Sequence, residues 1–203
     1  MKRFILTALI LGFFTTSAMS QVSFGIQGDL TNLNVAGGLK DIYGLGYGGG
    51  VHFDVGTPII SFRISGDYIM LSPDQDKYRN YLAKLIGGAA SEFSIDGGKI
   101  EVISATANLK LGLLPLPVVH IYATGGGGIV RLSVNSASVK RAGVTLVNVS
   151  GVEPQTKPSV NVGAGAELSL GGVSLYGEVK INWILTEGET STMVPLATIG
   201  LTF

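Results

Sequence analysis

The sequence contains no cysteine, carries few charges and has no apolar run long enough for a membrane-spanning helix. Without cysteine, disulfides, thiolate metal sites and lipid-attached cysteines are excluded. Charged residues make up 14 %, and 14 basic residues balance 14 acidic ones, which argues against nucleic-acid binding. Beyond the N-terminus, apolar runs such as Leu111–Val119 reach about half of the ~18 residues that a spanning helix needs. The apolar residues, 46 % of the chain, are therefore spread over short segments.

The N-terminus has the layout of a secretory signal peptide. Two basic residues precede the apolar stretch Phe4–Phe14, and small residues at Ala18 and Ser20 precede a cleavage site at Gln21. The stretch is too short for a transmembrane anchor. The sequence therefore predicts a signal peptide over residues 1–20 and a single mature domain over residues 21–203.

Eight segments of the mature chain alternate apolar and polar residues, which is the period of a β-strand. Each is long enough for a tilted strand to cross a bilayer, which takes about 9 to 11 residues, whereas strands average about 5 to 6 residues in soluble proteins. The segments are 22–31, 42–55, 60–71, 99–113, 119–134, 159–170, 173–186 and 193–203.

Short and long connections between these segments alternate along the chain. The short connections are Gly56–Pro58, Leu114–Val118 and Gly171–Gly172. The long ones, interpreted as polar loops, are 32–41, 72–98 and 135–158, with an intermediate one at 187–192. All short connections thus fall at one end of the predicted sheet, as in outer-membrane barrels with short periplasmic turns and long outer loops.

One face of the segments is almost wholly apolar, and the opposite face carries charges of both signs. The titratable residues on the polar face are His52, Asp54, Arg63, Asp67, Lys110, His120, Glu167, Glu178 and Lys180. Alternation alone does not decide which face points inward. A soluble barrel would bury the apolar face, whereas a membrane barrel would turn it toward lipid.

Aromatic residues near the segment ends favour the membrane arrangement. They would form two interfacial girdles, with Tyr43, Tyr68 and Trp183 toward the loops and Phe53, Phe62 and Phe203 toward the turns. A sheet in lipid must also close on itself, because unpaired backbone groups are costly there. The last segment is therefore expected to pair with the first.

The signal peptide, the eight-segment layout and the terminal segment ending in Phe203 resemble the small bacterial outer-membrane β-barrels of the OmpA-like and OmpX-like class. The resemblance implies an all-β fold, an eight-stranded antiparallel transmembrane up-and-down β-barrel surrounded by outer-membrane lipid. In that class the terminal aromatic strand is recognised by the barrel-assembly machinery, a role that would fall to Ile199, Leu201 and Phe203. Because the chain stops at Phe203, no peptidoglycan-binding domain is expected after the barrel.

Neither the glycine clusters nor the histidines indicate catalysis or cofactor binding. Gly44–Gly50 and Gly125–Gly128 resemble phosphate loops, but no helix and no Lys-Ser/Thr pair follows them, so we interpret them as strand residues that leave room in the lumen. His52 and His120 have no nucleophile on the same face. No enzyme, cofactor or metal site is therefore expected, including a metal site formed by the two histidines with Asp54.

The polar face predicts a charged network that plugs the barrel. An eight-stranded barrel encloses a space just wide enough for side chains to fill. Three cations, at Arg63, Lys110 and Lys180, face four carboxylates, so that buried charges can be paired.

The loop 72–98 predicts a short helix over 73–86. Ser72 is a candidate N-cap and Pro73 suits the first helical position. The residues at helical spacing are Tyr78, Tyr81, Leu82 and Leu85. The helix is expected to pack over the barrel mouth, with a surface for lipid headgroups or a partner as the alternative.

These observations favour a non-enzymatic outer-membrane barrel with a structural or an adhesive, surface-interaction role. An extracellular ligand or partner would be contacted through the loops 32–41, 72–98 and 135–158. The alternative is a narrow channel for small or apolar solutes, and a third reading is a soluble ligand-binding barrel in the periplasm. No nucleic-acid partner is expected.

Overall fold

A closed barrel of eight antiparallel strands is the main element of the computed structural model. The structure describes residues 21–32, 42–115, 118–186 and 192–203, so the predicted signal peptide and most of the loops 32–41 and 187–192 lie outside the described residues. In chain order the elements are β1 (Gln21–Asn32), β2 (Leu45–Gly56), β3 (Ile60–Leu71), α1 (Gln75–Ile86), a 3-10 turn (Ala90–Glu92), β4 (Phe93–Gly97), β5 (Ile100–Pro115), β6 (Val119–Val134), β7 (Ala137–Arg141), β8 (Val144–Val149), β9 (Val152–Ser169), β10 (Ser174–Ile184) and β11 (Thr192–Thr202).

The barrel strands follow one another in the order β1, β2, β3, β5, β6, β9, β10 and β11. β11 closes against β1, with Gly25 opposite Thr202 and Thr31 opposite Leu196. The predicted eight-stranded antiparallel barrel and its closure between the first and last strands are thereby confirmed. β9 is longer than predicted, because its pairing with β6 extends back to Val152.

The outward face of the barrel is apolar and the inward face is polar. Outward-pointing side chains such as Ile64, Val179 and Ile199 are 57 %, 62 % and 63 % exposed. Inward-pointing residues on the same strands are buried although many are charged. This inversion of a soluble core is the arrangement of a barrel that turns its apolar side toward lipid.

Of the six aromatic residues predicted for the girdles, four are exposed, Trp183 is partly exposed and Tyr43 is buried. Tyr68, Phe53, Phe62 and Phe203 are about half exposed on the outward face. Assigning Tyr43 to a girdle is wrong, since its ring is buried and its hydroxyl donates to the carbonyl oxygen of Gly98 at 2.8 Å. The ring packs in an apolar cluster under the long loops, with Ile69, Leu71, Ile100 and Leu196.

The loops 72–98 and 135–158 fold into a second unit, which the sequence did not predict. The strands β4, β7 and β8 form a three-stranded sheet in that order, and α1 lies on one face of it. We call α1, the 3-10 turn and this sheet the loop domain. Its core is formed by Tyr78, Leu82, Phe93, Ile95 and Val139.

Helix α1 begins later than predicted. Its N-cap is Asp74, whose carboxylate accepts from the backbone N–H groups of Asp76 at 3.1 Å and Lys77 at 3.2 Å, so Ser72 is not the cap. Pro73 is held outside the helix because it forms a β-bridge with Tyr43. The apolar face of the helix packs on the loop-domain sheet, with Ile42 beside it.

Candidate functional site

The barrel interior brings together the charged residues predicted for the polar face. His120 and Glu167 are partly exposed there. The other seven are buried, with exposures of 7 % or less: His52, Asp54, Arg63, Asp67, Lys110, Glu178 and Lys180. Seven ionisable side chains are therefore buried together in the interior of the described barrel.

A bidentate ion pair joins Arg63 and Asp54 in the barrel interior. Arg63 Nε lies 2.7 Å from Asp54 Oδ1, and Nη2 lies 2.7 Å from Oδ2. The two residues are cross-strand neighbours on β2 and β3, so the register of the sheet places them together. The guanidinium carbon of Arg63 also lies 4.6 Å from the ring centre of Tyr176. A bidentate pair of this kind fixes both side chains in one orientation.

Further ion pairs extend this contact into one network across the lumen. Lys110 Nζ lies 3.1 Å from Asp54 Oδ2 and 3.4 Å from Glu167 Oε2. On the other side, Arg63 Nη1 lies 3.8 Å from Glu178 Oε2, and Glu178 Oε1 is 3.0 Å from Lys180 Nζ. Three cations thus alternate with three carboxylates.

Asp67 is held by neutral groups among the described residues. The side-chain amide of Gln27 donates to Asp67 Oδ1, and the hydroxyl of Ser104 donates to Oδ2 at 3.2 Å. The expected pairing of Asp67 with a lumen cation therefore does not form. Hydrogen bonds from an amide and a hydroxyl take its place.

Sequence reasoning missed a fifth carboxylate, Asp29. It is 2 % exposed and accepts a hydrogen bond from the hydroxyl of Thr198 at 2.6 Å, while its Oδ2 has no hydrogen-bond partner. The count of three cations and four carboxylates on the polar face therefore omitted one buried carboxylate. Asp29 lies on the same face of its strand as Gln27 and Thr31, and that alternation was the signal that could have found it.

The two histidines occupy different surroundings. His52 has no exposed surface, and its Nδ1 and Nε2 lie 3.1 Å from Gln27 Oε1 and Thr202 Oγ1. The sequence did not indicate that the Thr202 hydroxyl lies beside His52. The His52 ring is fully buried, so a substrate has no path to it. His120 instead lines a cavity of about 410 Å³ at the short-turn end of the barrel, together with Lys110 and Glu167.

Several glycines on the barrel strands leave room for large lumen side chains. A Cβ at Gly165 would lie 2.5 Å from the Tyr122 hydroxyl, and one at Gly200 would lie 2.6 Å from the Tyr176 ring. A Cβ at Gly163 would lie 2.6 Å from Cγ of Lys180. These three glycines lie outside the clusters 44–50 and 125–128, in which a Cβ at Gly50 would meet Oδ1 of Asp67 and one at Gly126 would meet Oδ1 of Asn108.

The loop domain carries ion pairs of its own. Arg141 Nε lies 2.9 Å from Glu92 Oε2, and Lys140 pairs with Asp96. Burial raises the pKa of the Tyr78 hydroxyl in its core. A tyrosine hydroxyl, whose ordinary pKa is about 10, is already neutral at physiological pH, and burial strengthens this preference in the apolar cluster.

Among the described residues, no helix is long and apolar enough to cross a membrane. No group of three or more His, Asp or Glu side chains in that part of the chain is arranged to hold a metal ion.

Comparison with solved structures identifies the fold. No family model matches the sequence, and no curated protein does either. Neisserial surface protein A (NspA) aligns over 91 % of this chain and 97 % of its own at 11 % identity, with a TM-score of 0.56. A major outer membrane protein from Thermus thermophilus aligns over 90 % of this chain and 98 % of its own at 11 % identity, with a TM-score of 0.50. The chain therefore has the fold of the small bacterial outer-membrane β-barrels, as its sequence predicted.

Proposed function

We propose that this chain is a non-enzymatic outer-membrane barrel with a closed lumen, and that its loop domain contacts other molecules at the cell surface. The membrane location is supported by the apolar outward face of the barrel, where Ile64, Val179 and Ile199 are each more than half exposed. A continuous apolar surface of this extent is unfavourable in water and favourable in lipid. Export by the predicted signal peptide and recognition of Ile199, Leu201 and Phe203 by the assembly machinery belong to the same proposal.

The closed lumen rests on one observation, the ion-pair network that crosses it. The largest fully enclosed side chains include Arg63, Tyr176 and His52, all of which point into the barrel. Arg63 is tied to Asp54 and Glu178, so moving it aside would leave buried charges unpaired. Breaking a buried pair costs about 3–5 kcal/mol. The plug is therefore expected to stay in place at equilibrium.

A non-conducting barrel leaves the loop domain as the part that meets other molecules. The loop domain is a folded unit with its own apolar core around Phe93, which is fully buried. A rigid unit of this kind presents a defined surface, as binding loops on rigid scaffolds do. A surface-interaction role is thus favoured over a purely structural one.

A narrow channel is the second candidate, and one observation favours it. Several buried polar atoms in the lumen have no hydrogen-bond partner, among them Asp29 Oδ2, Asn108 Oδ1 and both polar atoms of the Asn161 amide. Buried polar groups of this kind are usually satisfied by water. Waters at these atoms would give small solutes a polar path through the lumen.

Conductance in planar lipid bilayers separates the two functions. We expect the wild-type protein to show no steady openings, and Arg63→Ala to show them because this substitution removes the central side chain of the plug. Arg79→Ala serves as the control, since Arg79 belongs to α1 of the loop domain and not to a barrel strand. Steady openings of the wild type that Arg63→Ala does not enhance would rule out the plug and favour the channel.

A further inference from the structure

Strand β8 forms a free edge of the loop-domain sheet. The strand order is β4, β7, β8, and among the described residues β8 pairs with β7 alone. The backbone N–H and C=O groups on its other side are therefore available to a new partner. An exposed edge of this kind is a template for the addition of another strand.

The side chains of β8 are uncharged and exposed on both faces, and four of the six are apolar. Val144 is 67 % exposed, and Leu146, Val147 and Val149 are 52 %, 49 % and 52 % exposed. No charged residue occurs between Arg141 and Glu153. Native edge strands are usually guarded by lysine, by proline or by a bulge. β8 has only the bulge at Leu146, which leaves Val147–Val149 in regular pairing with β7.

The two faces of the β8 edge differ in chemistry. Val147 and Val149 lie opposite Val139 and Ala137, so they extend the apolar face on which α1 packs, yet the helix leaves both half exposed. On the other face Asn148 lies opposite Ser138 and lines a cleft of about 400 Å³. A strand placed beside β8 would therefore meet an apolar surface on one side and a polar one on the other.

These features define what the edge can bind. Lipid chains could cover the valines but could not satisfy the free backbone groups, whereas a second strand satisfies both. The nearest cations, Lys140 and Arg141, are already paired with Asp96 and Glu92, so the edge offers no free charge to a charged partner.

We propose that the β8 edge binds an extended, uncharged segment of another protein by strand addition, with alternate apolar residues of that segment packing beside Val147 and Val149. The inference rests on the proposed function in one respect, that the loop domain faces the outside of the cell. The edge itself is a property of the fold.

Binding is tested with the full mature chain refolded in detergent. The probe is a fluorescein-labelled octapeptide of alternating threonine and valine, followed by fluorescence anisotropy. We expect saturable binding, weakened about tenfold or more in Val147→Lys and in Val149→Lys, because a lysine on an edge opposes strand addition. Val152→Lys is the matched control. Val152 is 54 % exposed but belongs to β9, where it pairs with Val134.

Three results would overturn strand addition to another protein. The first is the absence of saturable binding to the wild type. The second is equal binding of a peptide whose alternate amide nitrogens are methylated, since such a peptide cannot complete the ladder. The third is a dimer of the refolded chain that the peptide disperses, which would assign the edge to a second copy.

A separate measurement tests the location of the edge. Because the chain has no cysteine, Thr145→Cys introduces a single reactive thiol on β8. We expect a membrane-impermeant maleimide to label this variant on intact cells. Absence of labelling together with intact peptide binding would contradict the proposed surface location and leave the strand-binding edge in place.

Discussion

At the scale of single residues, Asp54 holds the barrel interior together. Its two oxygens accept from Arg63, and Oδ2 also contacts Lys110 Nζ. Glu167 by contrast contacts only Lys110 in the network and is partly exposed at the short-turn end. Asp54 and Glu167 both contact Lys110, but only Asp54 also pairs with Arg63. More buried charge therefore depends on Asp54 than on Glu167.

Asp54→Asn is expected to destabilise the barrel far more than Glu167→Gln. Losing the Asp54 charge leaves Arg63 and Lys110 without their shared partner, which costs about 3–5 kcal/mol in the free energy of unfolding. Glu167→Gln should cost about 1 kcal/mol or less, because a partly solvated pair contributes little. Urea unfolding in lipid vesicles, followed by the fluorescence of the single tryptophan, Trp183, measures both. Equal losses would contradict the central place of Asp54.

Residue positions were predictable where alternation alone decides them. The sequence placed Asp54, Arg63 and Glu178 on the polar face because side-chain direction in a strand depends only on parity. It did not show that Asp67 would bond to Gln27 and Ser104, since partners across a barrel depend on strand order and side-chain reach. Tyr43 was misplaced for a related reason, because a residue just before a strand does not follow that strand's alternation.

At the scale of elements, the loop domain is held by Phe93. This side chain has no exposed surface and packs against Tyr78 and Leu82 of α1. The guanidinium of Arg141 lies 5.4 Å from its ring centre. Helix, sheet and ion pairs therefore meet at one aromatic side chain.

Phe93→Ala is expected to loosen the loop domain and to leave the barrel intact. Truncating a buried phenylalanine costs about 3–5 kcal/mol, which is large for so small a core. Trypsin cleavage at Lys84, an exposed residue of α1, should become much faster, whereas Phe93→Leu should cleave at nearly the wild-type rate. A Phe93→Ala protein that resists trypsin as the wild type does would contradict an independent loop domain.

The loop domain was the least predictable part of the fold. The helix was expected from the spacing of Tyr78, Tyr81 and Leu82, but β4 and β7 are each only five residues long. In β8 apolar residues occur on both faces, so the alternation that revealed the barrel strands is absent. Short strands that pair only with each other leave little periodic signal.

At the scale of the whole molecule, closure of the barrel accounts for the C-terminal segment. Phe203 exchanges backbone hydrogen bonds with Phe24, at 2.7 Å and 3.2 Å, so the chain ends within the ladder that joins β11 to β1. The sequence predicted this closure from a physical constraint, because an open sheet edge is unfavourable in lipid. The role of the ending in assembly remains part of the proposal.

Gel migration of isolated outer membranes, with and without heating, tests the membrane-barrel account most directly. We predict that the protein is found in the outer-membrane fraction and that the unheated sample migrates at a different position from the boiled one, because the closed strand ladder resists detergent until it is heated. Recovery in the soluble periplasmic fraction, with the same mobility before and after boiling, would contradict the account.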